Sequence, residues 1–282
     1  MPVLFLVELF SGTGSFSTAA EEEAHKNGYT FKKLSVDIHP KYNPSTCIDI
    51  RAWNYQEAVT DFLQEGLGPS DVLWVHASPP CNEYSRAKTC HPRDLEFADS
   101  LVQQALNIIA YCAPDFWTIE NPVGLMHKRP LMQHLAPFKH QTSYCKWGRP
   151  FRKHTHIWSN VPLELPVCCK GSYCKDRGLL GRHIVSAQTR DFVTGAGNIR
   201  RRQNVNELYA LPPGLVKHIV RSALSLSEAK VNDDGLLKAP RPPRHVHATM
   251  CVVVAALLQI LLFRCLPRTK EDHGTQQPVH AC

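Results

Sequence analysis

Residues 71–85 read DVLWVHASPPCNEYS. The first seven are apolar enough to be a strand buried on both faces, as parallel sheets require. Two consecutive prolines then stop it. Proline fixes φ and restricts the residue before it, so Ser78-Pro79-Pro80 can neither extend the strand nor open a helix. Cys81 is therefore expected on a stiff loop at the carboxyl end of a strand, where open α/β sheets place their ligands. A cysteine with only a packing role would need no such support.

The chain on either side repeats the same unit. VLFLVELF is an apolar run that ends at SGTGSF, and STAAEEEAHKNG follows as a helix stopped by glycine. KKLSVD reads as a strand, NYQEAVTDFLQEG as an amphipathic helix, and LEFADSLVQQALNIIAYC as a long helix closed at Ala113-Pro114. FWTIEN is one more strand. Strands alternating with helices predict an α/β fold, a mostly parallel and doubly wound sheet with helices on both faces. Past residue 140, SYCKWG and HTHIWSNV read as shorter, more antiparallel strands. LYALPPGLVKHIVRSAL resumes a helix, with Pro212-Pro213 at its start, where proline is tolerated. The expected organisation is a core over 1–161, a small segment over 162–205, a closing helix over 206–228, and a linker with an apolar tail over 229–282.

Composition narrows the class. Of 282 residues, 43% are apolar and 20% charged, which supports a real core and argues against disorder. The net charge of +7 suits a polyanionic partner. The 11 cysteines are odd in number and irregularly spaced, and no secretory pattern opens the chain. Both features fit reduced thiols in an intracellular, reducing compartment. The block MCVVVAALLQILLF has 14 residues, short of the roughly 17 a spanning helix needs, so membrane contact by the tail is not favoured.

The loop after the first strand carries Phe10, Gly12 and Gly14. Glycines there let backbone approach a ligand at a helix amino terminus, and Phe10 can stack on a flat ring. The loop lacks the third glycine of the dinucleotide fingerprint and the GK[ST] of a phosphate loop. Asp37 closes the second strand, where an acid commonly binds ribose hydroxyls, and Asp49 is placed to accept from an adenine amino group.

Taken in order, Phe10-x-Gly12-x-Gly14, Asp37, Asp49-Ile50, Pro79-Pro80-Cys81, Glu120-Asn121 and the late LYALPP helix resemble the cytosine-C5 DNA methyltransferases, particularly short phage- or virus-type members. The resemblance implies a Rossmann-like S-adenosylmethionine-dependent methyltransferase sheet with a small target-recognition lobe. It implies S-adenosylmethionine bound by Phe10, Gly12, Gly14, Asp37, Ile38, Asp49, Ile50 and Pro79. Cys81 is implied as the nucleophile at C6 of a flipped cytosine, with Arg86, Lys88 and a helix dipole favouring its thiolate. Glu120 is implied to hold N3 and the exocyclic amine. Asn82, Ser85, Arg86, Asn121, Lys153, His154, Arg200 and Arg201 are implied in DNA contact, with Lys175, Arg190 and Arg202 adding to the basic supply.

Three departures from the family pattern stand out. Asn82 replaces a usual glutamine, Pro122 replaces a valine, and histidines stand where the later basic strand carries two arginines. Strand alternation puts Arg152, His154 and His156 on one face, which makes Arg152 and His156 the expected catalytic wall. Rival readings are a tRNA cytosine methyltransferase, an N4-cytosine amino-methyltransferase and a non-catalytic DNA-binding relative. Cys145, Cys168, Cys169, Cys174 and His183 are weak metal candidates. No Cys-x-x-Cys pair exists among them, so thiols without a metal are the expectation.

Overall fold

The computed structural model describes residues 1–64, 66–168, 174, 183 and 205–234. Residues 1–240 form one compact unit. It is built on a seven-stranded sheet in the order β3-β2-β1-β4-β5-β7-β6, with β1 Val3–Leu9, β2 Thr30–Asp37, β3 Thr46–Cys47, β4 Val72–Ala77, β5 Phe116–Pro122, β6 Lys139–Ser143 and β7 His154–Ser159. The first five strands are mutually parallel, and β7 runs antiparallel between β5 and β6. This is the α/β sheet the alternation predicts.

Both faces of the sheet are covered, and β1 shows why its sequence is apolar throughout. Leu4 and Leu6 enter one core with the helix α1 Ser15–Lys26 and the helix α5 Pro213–Asp234. Phe5, Val7 and Leu9 alternate to the other core, with α2 Tyr55–Phe62 and α3 Leu95–Cys112. Val7 and Leu9 have no exposed surface. Each such side chain contributes about 1.5–3 kcal/mol by leaving water. Ion pairs Arg221–Glu23 at 2.8 Å and Lys217–Glu22 at 2.6 Å lie across the α1–α5 contact. Asp94 caps α3 through the Phe97 N–H, and the helix stops where Ala113 turns left-handed before Pro114.

Two expectations change. SYCKWG is not a strand: Tyr144–Trp147 is a 3₁₀ turn, and the strand before it is the polar KHQTS of β6. β6 is an edge strand with its first residues half exposed, so it lacks the apolar signal that marks the others. The closing helix outruns residue 228, extending to Asp234, and a short helix α4 Val205–Tyr209 precedes it. Among the described residues no helix is long and apolar enough to cross a membrane, and the apolar block over 250–263 lies outside them.

Strand order decides where a ligand can bind. The chain reverses its winding between β1 and β4, and the loops leaving these neighbours diverge to open a crevice. Phe10–Gly14 and Ser78–Cys81 are those two loops.

Candidate active site

The loop after β1 is bent hard. Phe10, Gly12 and Gly14 all have positive φ, at 56°, 48° and 67°. Phe10 is the costly one, since an L side chain rarely adopts that region. Asp37 pins the bend: its two oxygens accept the Gly12 and His39 N–H groups, each at 2.8 Å. Ile38 beside it stands 56% exposed, an apolar side chain left open at the strand end. Glu8, near the end of β1, is buried. Its Oε1 takes the Ser17 N–H at 3.3 Å, while Oε2 has no partner among the described residues. Burial pushes its pKa up to about 7. Asp49 and Ile50 depart from their expected roles. Asp49 caps a short turn and is gripped by Arg51 at 2.6 Å, which holds its carboxyl below the ordinary range. Ile50 is buried in the core.

The proline loop is fastened on three sides. Ser78 donates its N–H to the Leu9 carbonyl at 3.2 Å, and its hydroxyl meets His76 Nε2 at 3.0 Å. His76 is wholly enclosed, stacked on Phe16 at 3.6 Å, and burial lowers its pKa to about 3, so it is neutral. On the other side Asn121 Nδ2 donates to the Pro79 carbonyl at 2.9 Å. Asn121 is fully buried, which corrects its expected DNA contact: it positions the loop. The third fastening is backbone to backbone. Leu125 donates to the Tyr84 carbonyl at 2.9 Å, and Gly124 lies so close that a Cβ there would sit 2.3 Å from the same oxygen.

Beyond Cys81 the chain makes turns rather than a helix, so no helix begins at the thiol. Lys88 is also taken, bonded to both oxygens of Glu83 at 2.6 Å. Arg93 ties this stretch down through the carbonyls of Glu83, Ser85 and Lys88. Asn82 and Arg86 are exposed, and Ser85 accepts from the Ala87 N–H. Among the described residues, the cation that acts on Cys81 is Lys153. Burial raises the thiol's pKa, Lys153 pulls it down, and Glu120 pushes it up again.

Glu120 stands at the end of β5, 5% exposed. Its Oε1 accepts from the Thr155 hydroxyl at 2.5 Å and the Tyr144 hydroxyl at 3.1 Å. Lys153 completes the group, with Nζ 3.4 Å from the Tyr144 oxygen and 3.2 Å from the Leu208 carbonyl. Register explains the assembly. Glu120 pairs with Ile157, so Thr155 and then Lys153 lie on the same face toward the sheet end.

That register overturns the expected wall. Arg152 is exposed and precedes β7. His156 pairs with Asn121 on the opposite face, packed edge-on against His127 and Trp158, and burial lowers its pKa to about 4. His154 meets Ser143 Oγ at 2.7 Å. The alternation holds, but the site is built on the face of Thr155 and not on that of His154 and His156. Tyr144 and Thr155 carry no signal of their role in the sequence: Tyr144 falls in the supposed strand, and Thr155 looks like an ordinary β-former. Arg200, Arg201, Arg190, Arg202, Lys175 and Cys169 lie outside the described residues. Cys145, Cys168, Cys174 and His183 are brought together, with ligating atoms all within 4.8 Å of one another.

The chain is similar to a probable DNA (cytosine-5)-methyltransferase of Frog virus 3 (isolate Goorha), 27% identical over an alignment 236 residues long, with 76% of this chain and 98% of the relative covered. The resemblance read from the motifs is thereby borne out. A solved methyltransferase structure from Entamoeba histolytica matches with 12% identity and a TM-score of 0.40, covering 61% of this chain and 58% of that one. No protein-family model matches the chain.

Proposed function

We propose that this chain is an S-adenosylmethionine-dependent enzyme that methylates C5 of cytosine in DNA through a covalent adduct of Cys81 at C6. The observation that carries the reading is the convergence, at the ends of neighbouring strands, of a stiffly held thiol, a buried carboxylate and a lysine that acts on the thiol and meets the tyrosine bonded to the carboxylate. The similarity to the frog virus protein supports DNA cytosine as the substrate. An amino-methyltransferase has no use for a nucleophile at this position.

The crevice fits the cofactor. Gly12 and Gly14 open the backbone, and Ile38 and Phe10 offer apolar surface for a nucleoside base. Asp37 keeps a second lone pair on each oxygen for ribose hydroxyls. The orphaned Oε2 of Glu8 is a buried acceptor that an ammonium would satisfy. When bound, S-adenosylmethionine supplies an electrophilic methyl group.

The chain's own residues do the rest. The target base must leave the duplex to reach them. Cys81 gives its proton to solvent and its sulfur adds to C6, which pushes the C5–C6 electron pair onto C5 and makes that carbon nucleophilic. Glu120, oriented by Thr155 and Tyr144, holds the N3 and amino edge, so charge developing on the ring meets a fixed partner. Lys153 offsets negative charge on the sulfur and is linked to the carboxylate through the Tyr144 hydroxyl. After C5 gains its methyl group, loss of the C5 proton to solvent restores the double bond and expels the Cys81 thiolate.

DNA containing 5-fluorocytosine tests the scheme, because the C5 position then has no proton to lose. Wild-type enzyme with S-adenosylmethionine should form a denaturant-resistant complex that maps to Cys81, and Cys81→Ala should form none. A methylated exocyclic amine without any adduct would refute the reading. Equal transfer to tRNA would revise its substrate.

A further inference from the structure

We infer that Cys145, Cys168, Cys174 and His183 form a structural zinc site that fastens the segment after residue 167 to the floor of the active site. The ligating atoms of all four lie within 4.8 Å of one another, and the three cysteines are buried. Zinc bound to sulfur at about 2.3 Å in a tetrahedron sets neighbouring ligand atoms about 3.8 Å apart. The Cys168 Sγ to His183 Nε2 distance is 3.8 Å.

Chemistry narrows the occupant. Three soft sulfurs and one imidazole in a closed set match a structural zinc, whereas a catalytic zinc keeps a position open. A disulfide would bring two sulfurs to about 2.05 Å and strand the third. None of these cysteines is in a disulfide. The three also make up a separate buried cluster of their own, apart from both main cores. Three clustered thiols gain little from hydrophobic burial, and a metal staple supplies stability where a short segment has few apolar side chains to bury. Sequence spacing hid the site: Cys145 comes from the 3₁₀ turn of the core, and five residues part Cys168 from Cys174, so no Cys-x-x-Cys signature arises.

The anchor's position gives it a consequence. Cys145 follows Tyr144, whose hydroxyl orients Glu120, and the Cys168 N–H donates to Ser143 Oγ at 2.9 Å. Zinc would tie the candidate DNA-reading segment to the residues that align the carboxylate. The metal site itself does not rest on the methyltransferase reading.

Metal analysis of the full chain, expressed with added zinc and purified without chelator, tests this. One zinc per chain is expected, with release of three thiol protons on binding. Cys145→Ser and His183→Ala should each lose it, and His183→Cys should retain it. Cobalt(II) substitution should give the visible absorption of a tetrahedral thiolate site. Stripping the metal should open residues 168–205 to protease while cofactor binding persists. This last readout, like wild-type zinc content, needs no variant to fold. Absence of zinc in wild type whose cysteines titrate as reduced thiols would overturn the inference. So would undiminished zinc in folded Cys145→Ser and His183→Ala, or a disulfide between any two of the three cysteines.

Discussion

Gly124 has no polar side-chain atom to offer a substrate, yet its replacement should be among the most damaging near the site. Its φ is not positive, so alanine is tolerated by the local backbone. The obstacle is the Tyr84 carbonyl oxygen, 2.3 Å from where Cβ would stand, with the carbonyl carbon at 3.1 Å. Such contacts essentially never fall below 3.0 Å and are ordinary from 3.4 Å. The two stretches of chain must therefore part by about 0.7 to 1.1 Å (3.0 − 2.3 and 3.4 − 2.3). Both contacting atoms are backbone, so no side chain can swing aside. The Leu125 N–H to Tyr84 carbonyl bond, now 2.9 Å, opens with them. Overpacking of this kind costs about 1–3 kcal/mol, which is roughly 2–4 °C of Tm per kcal/mol in a domain of this size. Displacing a nucleophile by about 1 Å costs on the order of a hundredfold in turnover. Gly124→Ala should thus remain folded, bind S-adenosylmethionine as wild type does, and lose about a hundredfold in kcat for methyl transfer to DNA. Circular dichroism, calorimetry and a labelled-methyl assay read the three quantities. A folded Gly124→Ala with wild-type kcat would show that the Cys81 loop is not held in place through this contact.

Lys153→Met removes the cation that lowers the Cys81 pKa, leaving burial and Glu120, both of which raise it. The thiolate fraction and kcat/KM rise with pH through the thiol pKa, so the rising limb of the pH profile should move to higher pH. At a fixed pH below that limb, activity should fall about tenfold for every pH unit by which the limb moves. An unmoved profile would remove Lys153 from this role. Phe10→Ala and Asp37→Ala should weaken S-adenosylmethionine binding in calorimetry with little change in folding; unchanged affinity in both would dismiss the crevice as the cofactor site.

How far the sequence can be read depends on the range of the interaction. α3 is delimited to the residue, because Asp94, the apolar period and Ala113-Pro114 are all local signals. The proline loop and the strand ends bearing Asp37 and Glu120 are legible for the same reason. Lys153 stands out as a basic residue, but its partners do not, since the choice between the two faces of β7 depends on pairing with the distant strand β5. Gly124 looks like any loop glycine until Tyr84 lies against it. Asn121 resembles a surface contact because a polar residue gives no sign in sequence that its amide is spent on a buried carbonyl. The Cys145 cluster joins a core turn to a distant segment, and no short spacing records that.

The antiparallel insertion of β7 has one more effect. Ser159 ends at the far edge of the sheet, where Asn160 bonds the Asp115 carbonyl and the Trp117 N–H. The chain then climbs back beside β6, with Thr142 donating to the Pro166 carbonyl, until Cys168 meets Ser143. Further along the chain comes α4, where the Leu208 carbonyl takes Lys153. Cys168 and α4 thus stand on the same ledge, next to Glu120. A stretch with both roots set so close can change in length or content without pulling the strands apart. The sheet behaves as a fixed handle on which both roots of the intervening chain are set.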